Sequence, residues 1–213
     1  MEHSRIVIFT GGHLDDWALD VIREGDYLIG ADRGAFFLIE RGLLPQVAMG
    51  DFDSVSEEQL AAIRANCGEV IQVDPVMKDW TDTEMAFRWS LERQPRELVL
   101  VGALGSRFDH SLANVHLLAQ AIERGIDCSI VDSNNEIRLT ESVLTITNGR
   151  FANVSLLPLT RQVTGITLEG FQYPLTDATL TIGQSLGISN VLLEDTGTVR
   201  VASGLLLVIQ SVD

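Results

Sequence analysis

Through residue 131 the chain alternates short apolar runs with segments of helical periodicity. RIVIFT (5–10), DYLIGAD (26–32), EVIQV (69–73), ELVLVG (97–102) and DCSIV (127–131) are the expected strands. Strands that read as nearly continuous apolar runs and are separated by helices imply a parallel sheet covered on both faces. After about residue 136 the helical period stops. SVLTIT, FANVSLLPL, GITLE, ATLTIG and GLLLVIQ follow with turn residues between them, the pattern of an all-β unit. The expected fold is an N-terminal Rossmann-like open parallel α/β sheet over residues 1–135, then a C-terminal antiparallel β-sandwich over 136–213. No long Gly/Ser/Pro linker separates them, so DSNNE (132–136) is expected to be a tight junction.

Helix starts are legible as well. Thr81 with Glu84 makes a capping box ahead of MAFRWSLER, and either Ser54 with Glu57 or Ser56 with Gln59 does the same ahead of QLAAIRA. Acidic residues therefore gather at helix N-termini.

A composition of 46% hydrophobic and 21% charged residues is that of a globular protein, and it leaves the fold expectation unchanged. Charge does narrow the function. A net charge of −15 without a basic cluster argues against nucleic acid and anionic membrane as partners, while suiting divalent metals and cationic ligands. The longest apolar stretches, such as LLLVI (205–209), fall short of the roughly 20 residues of a membrane span, and MEHSRIVIF lacks the features of a signal peptide. A cytoplasmic location is expected. Cys67 and Cys128 have no metal-ligand spacing and are read as reduced core residues.

Three constellations could carry chemistry. In MGDFDS, Asp51 and Asp53 project to the same side of an extended segment, where two carboxylates about 4 Å apart repel by roughly 4 kcal/mol at an effective dielectric near 20. A cation removes that conflict, and Mg²⁺ accepts one or two carboxylates together with waters and substrate phosphates. In KDWTDTE, helix capping and the helix dipole account for Thr81, Asp82 and Glu84. Lys78, next to Asp79, is instead the residue type that binds phosphate beside a metal. In VGALGSRFDHSLAN, Gly102 and Gly105 let backbone approach a ligand, a helix N-terminus follows, and Arg107 offers a fork for phosphate oxygens. No P-loop pattern is present, and FTGGH (9–13) does not match the dinucleotide fingerprint. Asp32, after the second expected strand, occupies a position where an acid often meets a ribose hydroxyl.

Taken in order, ADRGA, GDFDS, KDWTDTE, GALGSRFDHSLAN, EGFQYPL and GISN make the chain resemble the bacterial type of thiamin pyrophosphokinase over nearly its whole length. The resemblance implies Mg²⁺-dependent transfer of the pyrophosphoryl group of ATP to the hydroxyl of thiamin, giving thiamin diphosphate and AMP. It implies that Asp51, Asp53 and Asp82 bind the metal, and that Lys78, Asp79 and Thr81 line the polyphosphate. Arg107 and Asp109 would complete that site, with Asp32 near the nucleotide or the metal. Ser189 and Asn190 would hydrogen-bond the aminopyrimidine of thiamin, and the protein would be a homodimer. The alcohol proton could go to Asp82 or Asp53. Val191 and Met77 stand where the family pattern suggests acids. Phe171 and Tyr173, two apart in EGFQYPL, are expected on one face of a strand. Two other readings are open. One is a phosphohydrolase of the D-x-D-x-[TV] kind with Asp51 as nucleophile, and the other is a non-catalytic thiamin- or nucleotide-binding protein.

Overall fold

The computed structural model describes residues 4–74 and 79–213. The chain divides into two compact units, residues 1–133 and 134–213.

The first unit is built on six parallel strands: β1 (Arg5–Phe9), β2 (Tyr27–Ala31), β3 (Val47–Gly50), β4 (Glu69–Gln72), β5 (Glu97–Val101) and β6 (Asp127–Val131). Their spatial order is β6-β5-β1-β2-β3-β4. Helices α1 (Arg33–Glu40), α2 (Glu57–Asn66), α3 (Asp82–Leu91) and α4 (Phe108–Ile122) connect them, with a 3-10 turn at Asp16–Val21 between β1 and β2. From β1 the chain moves outward to β4 and then returns to place β5 on the other side of β1. Right-handed crossovers consequently put α1 and α2 on one face and α3 and α4 on the other. On the first face Val7 and Phe9 of β1 join Phe37 and Leu38 of α1 in one buried cluster. The fit is close: a Cβ on Gly34, in the first turn of α1, would lie 2.0 Å from the carbonyl oxygen of Phe9, so only glycine lets this helix settle over the end of β1.

All five strands expected in this half are present, and β3 is the additional one. Its four residues, Val-Ala-Met-Gly, are completely buried, but only Val47 favours a strand intrinsically. Pairing with β2 and β4 on both sides defines it. At α2, Ser56 and Gln59 form the capping box, and Ser54 is engaged elsewhere. At α3 Thr81 accepts from the Glu84 amide at 3.1 Å, while the Glu84 carboxylate pairs with Arg88 instead of reaching back to close a box.

The second unit packs two antiparallel sheets. One has the order β12 (Asn190–Val191), β9 (Asn153–Pro158), β14 (Leu206–Ser211), β7 (Asn135–Thr140). The other has β11 (Ala178–Thr181), β10 (Gln162–Glu169), β13 (Thr196–Arg200), β8 (Val143–Thr147). Val154, Leu156, Leu206 and Val208 from the first meet Ile146, Val163, Leu168, Leu180 and Val199 from the second in a single core, the interdigitation of a β-sandwich. The expectation that Phe171 and Tyr173 share a face is corrected here. Phe171 bridges to Leu192 and is buried in the core, whereas Tyr173 is 61% exposed, because the segment leaves extended pairing at Gln172. Among the described residues no helix is long and apolar enough to cross a membrane.

Candidate active site

In an open α/β sheet the ligand crevice forms where neighbouring strands send their connections in opposite directions. That point lies between β1 and β5, whose C-terminal loops are residues 10–14 and 102–107. The loops touch at the base: a Cβ on Gly12 would lie 1.9 Å from the carbonyl oxygen of Gly102. Above them opens a cleft of about 650 Å³, lined by both loops, by Asp32 and Arg33 after β2, by Thr81 and Asp82 at the start of α3, and by His110 and Asn114 of α4.

The acids converge at one side of this cleft. Asp32 leaves β2 with φ 51 and ψ −120, an uncommon backbone conformation for a non-glycine residue. Its amide donates to the carbonyl of Met49 at 2.9 Å, so the turn is bonded to the end of β3. Phe52 also has a positive φ, 60, and its ring is buried with Ala35, Ala48 and Ile63. That plug fixes the turn in which Asp51 Oδ1 accepts from the Asp53 amide at 3.0 Å. Asp32, Asp51 and Asp53 thus each offer an oxygen, all within 4.8 Å of one another. Ser54 donates its hydroxyl to Asp32 Oδ2, and Asp32 Oδ1 is buried and has no hydrogen-bond partner among the described residues. Burial, then the charges of Asp82 and Asp53, push the Asp32 carboxyl above its ordinary range, against the opposing hydrogen bond from Ser54. An orphaned buried carboxylate oxygen beside two further carboxylates is a donor set suited to a hard divalent cation. Asp82 stands alongside: its Cγ would lie 3.4 Å from a Cβ on Gly50.

On the other side the glycine loop is held from behind. Thr10 Oγ1 donates to the Gly102 carbonyl at 2.6 Å, Asn114 Nδ2 donates to the Ala103 carbonyl at 2.7 Å, and Ser111 Oγ accepts from the Gly105 amide at 3.0 Å. Arg107 lines the cleft and pairs through two nitrogens with Asp109, at 2.6 and 3.2 Å, both side chains being largely exposed. The pairing lowers the Asp109 carboxyl to about 2 and raises the Arg107 guanidinium.

Of the sequence-derived site residues, Asp32, Asp51, Asp53, Asp82, Thr81, Gly102, Gly105 and Arg107 meet at or beside this cleft. Asp79 is exposed just ahead of Thr81, Asp109 is engaged by Arg107, and Lys78 lies outside the described residues. Ser189 and Asn190 belong to the second unit. Ser189 is exposed at φ 58, and its amide donates to Ser155 Oγ. The Asn190 side chain is buried and binds both backbone groups of Tyr173, accepting from its amide at 3.0 Å and donating to its carbonyl at 2.7 Å. Sequence reasoning missed Thr10 to His13, set aside because FTGGH fits no fingerprint. The usable signal was their position immediately after the first strand of an alternating α/β pattern. It also left the metal-binding potential of Asp32 undecided. Against the phosphohydrolase reading, Asp51 follows β3, an inner strand reached after two crossovers, and not the leading strand of the sheet.

Comparison with known proteins identifies the family. Residues 18–130 match the family model described as thiamin pyrophosphokinase, catalytic domain, and residues 135–206 match the one described as thiamin pyrophosphokinase, vitamin B1 binding domain. The chain is 34% identical over 189 residues to the thiamine pyrophosphokinase of Bacillus subtilis, covering 87% of each chain. The crystal structure of the Bacillus subtilis protein superposes with a TM-score of 0.91 at 33% identity, over 98% of this chain and 99% of that one. A thiamin pyrophosphokinase family protein from Enterococcus faecalis superposes with a TM-score of 0.88 at 32% identity, over 99% of this chain and all of that one. With both family models matched in order and the two-unit layout shared along the length of these relatives, the chain belongs to the thiamin pyrophosphokinase family of diphosphotransferase enzymes.

Proposed function

We propose that this chain transfers the pyrophosphoryl group of ATP to the hydroxyl of thiamin, releasing AMP and thiamin diphosphate, with Mg²⁺ bound at the acidic side of the cleft. The observation that carries this reading is the meeting of Asp32, Asp51 and Asp53 within 4.8 Å, opposite a glycine loop with Arg107 in the same crevice. Asp51, Asp53 and Asp32 would hold the ion, with Asp82 at its margin. A bound divalent cation neutralises and orients phosphate oxygens.

The chain's own groups do the rest. Attack at the β-phosphorus requires alignment of the alcohol and stabilisation of charge on the transferred group and on departing AMP. Arg107 supplies a planar fork for that charge, exchanging Asp109 for phosphate oxygens, and Thr81, with Lys78 by the family resemblance, would bind the polyphosphate. Asp32, Asp51 and Asp53 would hold the cation, and Asp82, which lines the cleft, would accept the alcohol proton. Ser189 hydrogen-bonds the aminopyrimidine, and Asn190 acts beside it through the Tyr173 backbone that it clamps. The functional form is a homodimer. The apolar side chains that the second unit leaves exposed, Leu186 at 67% and Leu193 at 68%, are suited to burial against a second copy.

Incubation with ATP, Mg²⁺ and thiamin, followed by mass detection, should give AMP and thiamin diphosphate in equal amounts. Phosphate release from simple esters without a requirement for thiamin would favour the phosphohydrolase instead. The Ser189→Ala variant should raise KM for thiamin several-fold with KM for ATP unchanged, and an equal rise for both substrates would reject the role given to the second unit.

A further inference from the structure

The motif that opens with Gly102 closes on Asn114, a residue to which the reaction above gives no role. Asparagine is a poor residue inside a helix, because its amide competes for backbone partners. Here the side chain is buried at 9% exposure within α4 and donates to the Ala103 carbonyl at 2.7 Å. One residue earlier, the Gly102 carbonyl accepts from Thr10 Oγ1 at 2.6 Å. Two successive carbonyls of the loop are thus fastened by side chains from two different elements, the loop after β1 and helix α4. A trans peptide directs its N–H opposite to its C=O, so fastening these two carbonyls also fixes the direction of the Ala103 and Leu104 amides. Those amides, with that of Ser106, have no partner among the described residues, and all three residues line the cleft. Successive unpartnered backbone amides form a cradle for anionic oxygens.

We propose that Asn114 is a positioning residue: by holding the Ala103 carbonyl it sets the amides of the 103–106 loop toward the phosphate chain of the nucleotide, and so controls affinity for that chain and not for thiamin. The assignment rests on the phosphoryl-transfer reading above. Thr10 is its counterpart on the facing loop. Without either bond the loop exchanges among conformations, and binding must then order it.

The test compares wild type, Asn114→Ala and Thr10→Val in two assays. Calorimetric titration with magnesium tripolyphosphate probes the phosphate chain without nucleoside or acceptor, and steady-state kinetics separates KM for MgATP from KM for thiamin. Each variant is expected to bind tripolyphosphate about tenfold more weakly and to show about a tenfold higher KM for MgATP, with KM for thiamin within about twofold of wild type, as for loss of one buried hydrogen bond. Unchanged tripolyphosphate affinity in both variants overturns the proposal, and so does a parallel rise in KM for thiamin. If Asn114→Ala does not fold, Thr10→Val, which preserves side-chain shape, decides alone. Asn114-dependent tripolyphosphate binding in a protein that makes no thiamin diphosphate upholds the loop assignment while rejecting thiamin as acceptor.

Discussion

Replacing Asp51 or Asp53 by asparagine is expected to lower kcat by at least about a thousandfold while the protein stays folded. The two side chains sit on a turn whose packing is provided by Phe52, not by the carboxylates. Asparagine keeps the shape at both positions and, at Asp51, the acceptor for the Asp53 amide, while removing the charge. A single electrostatic stabiliser at a reacting phosphoryl group accounts for about 10²–10³ in rate, and a lost metal site for more. Two measurements check this together. Mg²⁺ should raise the thermal midpoint of wild type and leave that of either variant in place, and product formation should vanish at saturating Mg²⁺. Turnover near the wild-type rate in both variants would remove the acidic cluster from the mechanism.

Asp32→Asn should do two opposite things: abolish turnover and stabilise the fold at neutral pH. Burial and the charges of Asp82 and Asp53 raise the Asp32 carboxyl above its unfolded value. A carboxyl with a raised folded pKa holds its proton more tightly in the native state. Stability therefore falls as pH rises from the unfolded pKa through the folded one, and the full penalty is present above it. An amide cannot ionise and still accepts from Ser54. The variant's thermal midpoint should therefore exceed that of wild type by a few degrees at pH 7 without Mg²⁺, and the difference should shrink as pH falls through the carboxylate range. A variant less stable than wild type at pH 7 would show that Asp32 serves packing and not function. Such an exchange of stability for function is expected where like charges are held together for a ligand.

Much of the architecture follows from local pattern. Runs such as RIVIFT and ELVLVG are long enough, and apolar enough on both faces, to specify buried parallel strands by themselves. The cap at Ser56 likewise needs only the three residues that follow it. β3 was not legible, because Ala, Met and Gly carry little strand preference and the segment is a strand only between β2 and β4. β13, with Thr-Gly-Thr at its start, was missed for a similar reason: Gly197 is there because a Cβ would come within 2.8 Å of the Phe171 ring, a contact between segments distant in sequence. In the site, Asp51 and Asp53 do come together, but through a turn with Phe52 at φ 60 and not along the extended segment that the spacing suggested. The third carboxylate could not be read from spacing, since Asp32 reaches them through the turn it makes with Met49.

The sequence by itself determined most of the strands and helices, that an α/β half precedes an all-β half, and which acidic, glycine and arginine residues have chemistry to offer. Tertiary structure decided which of them meet. Strand order sets β1 beside β5 and so creates the crevice in which residues 10–13 face 102–107. It brings Asp32 to the pair after β3, gives Ser54 to Asp32 instead of to a helix, and occupies Asn190 with the backbone of Tyr173. The physical reason is that periodicity and capping act over one or two turns of chain, whereas proximity between residues dozens of positions apart is fixed by how the buried faces of the strands pair and pack.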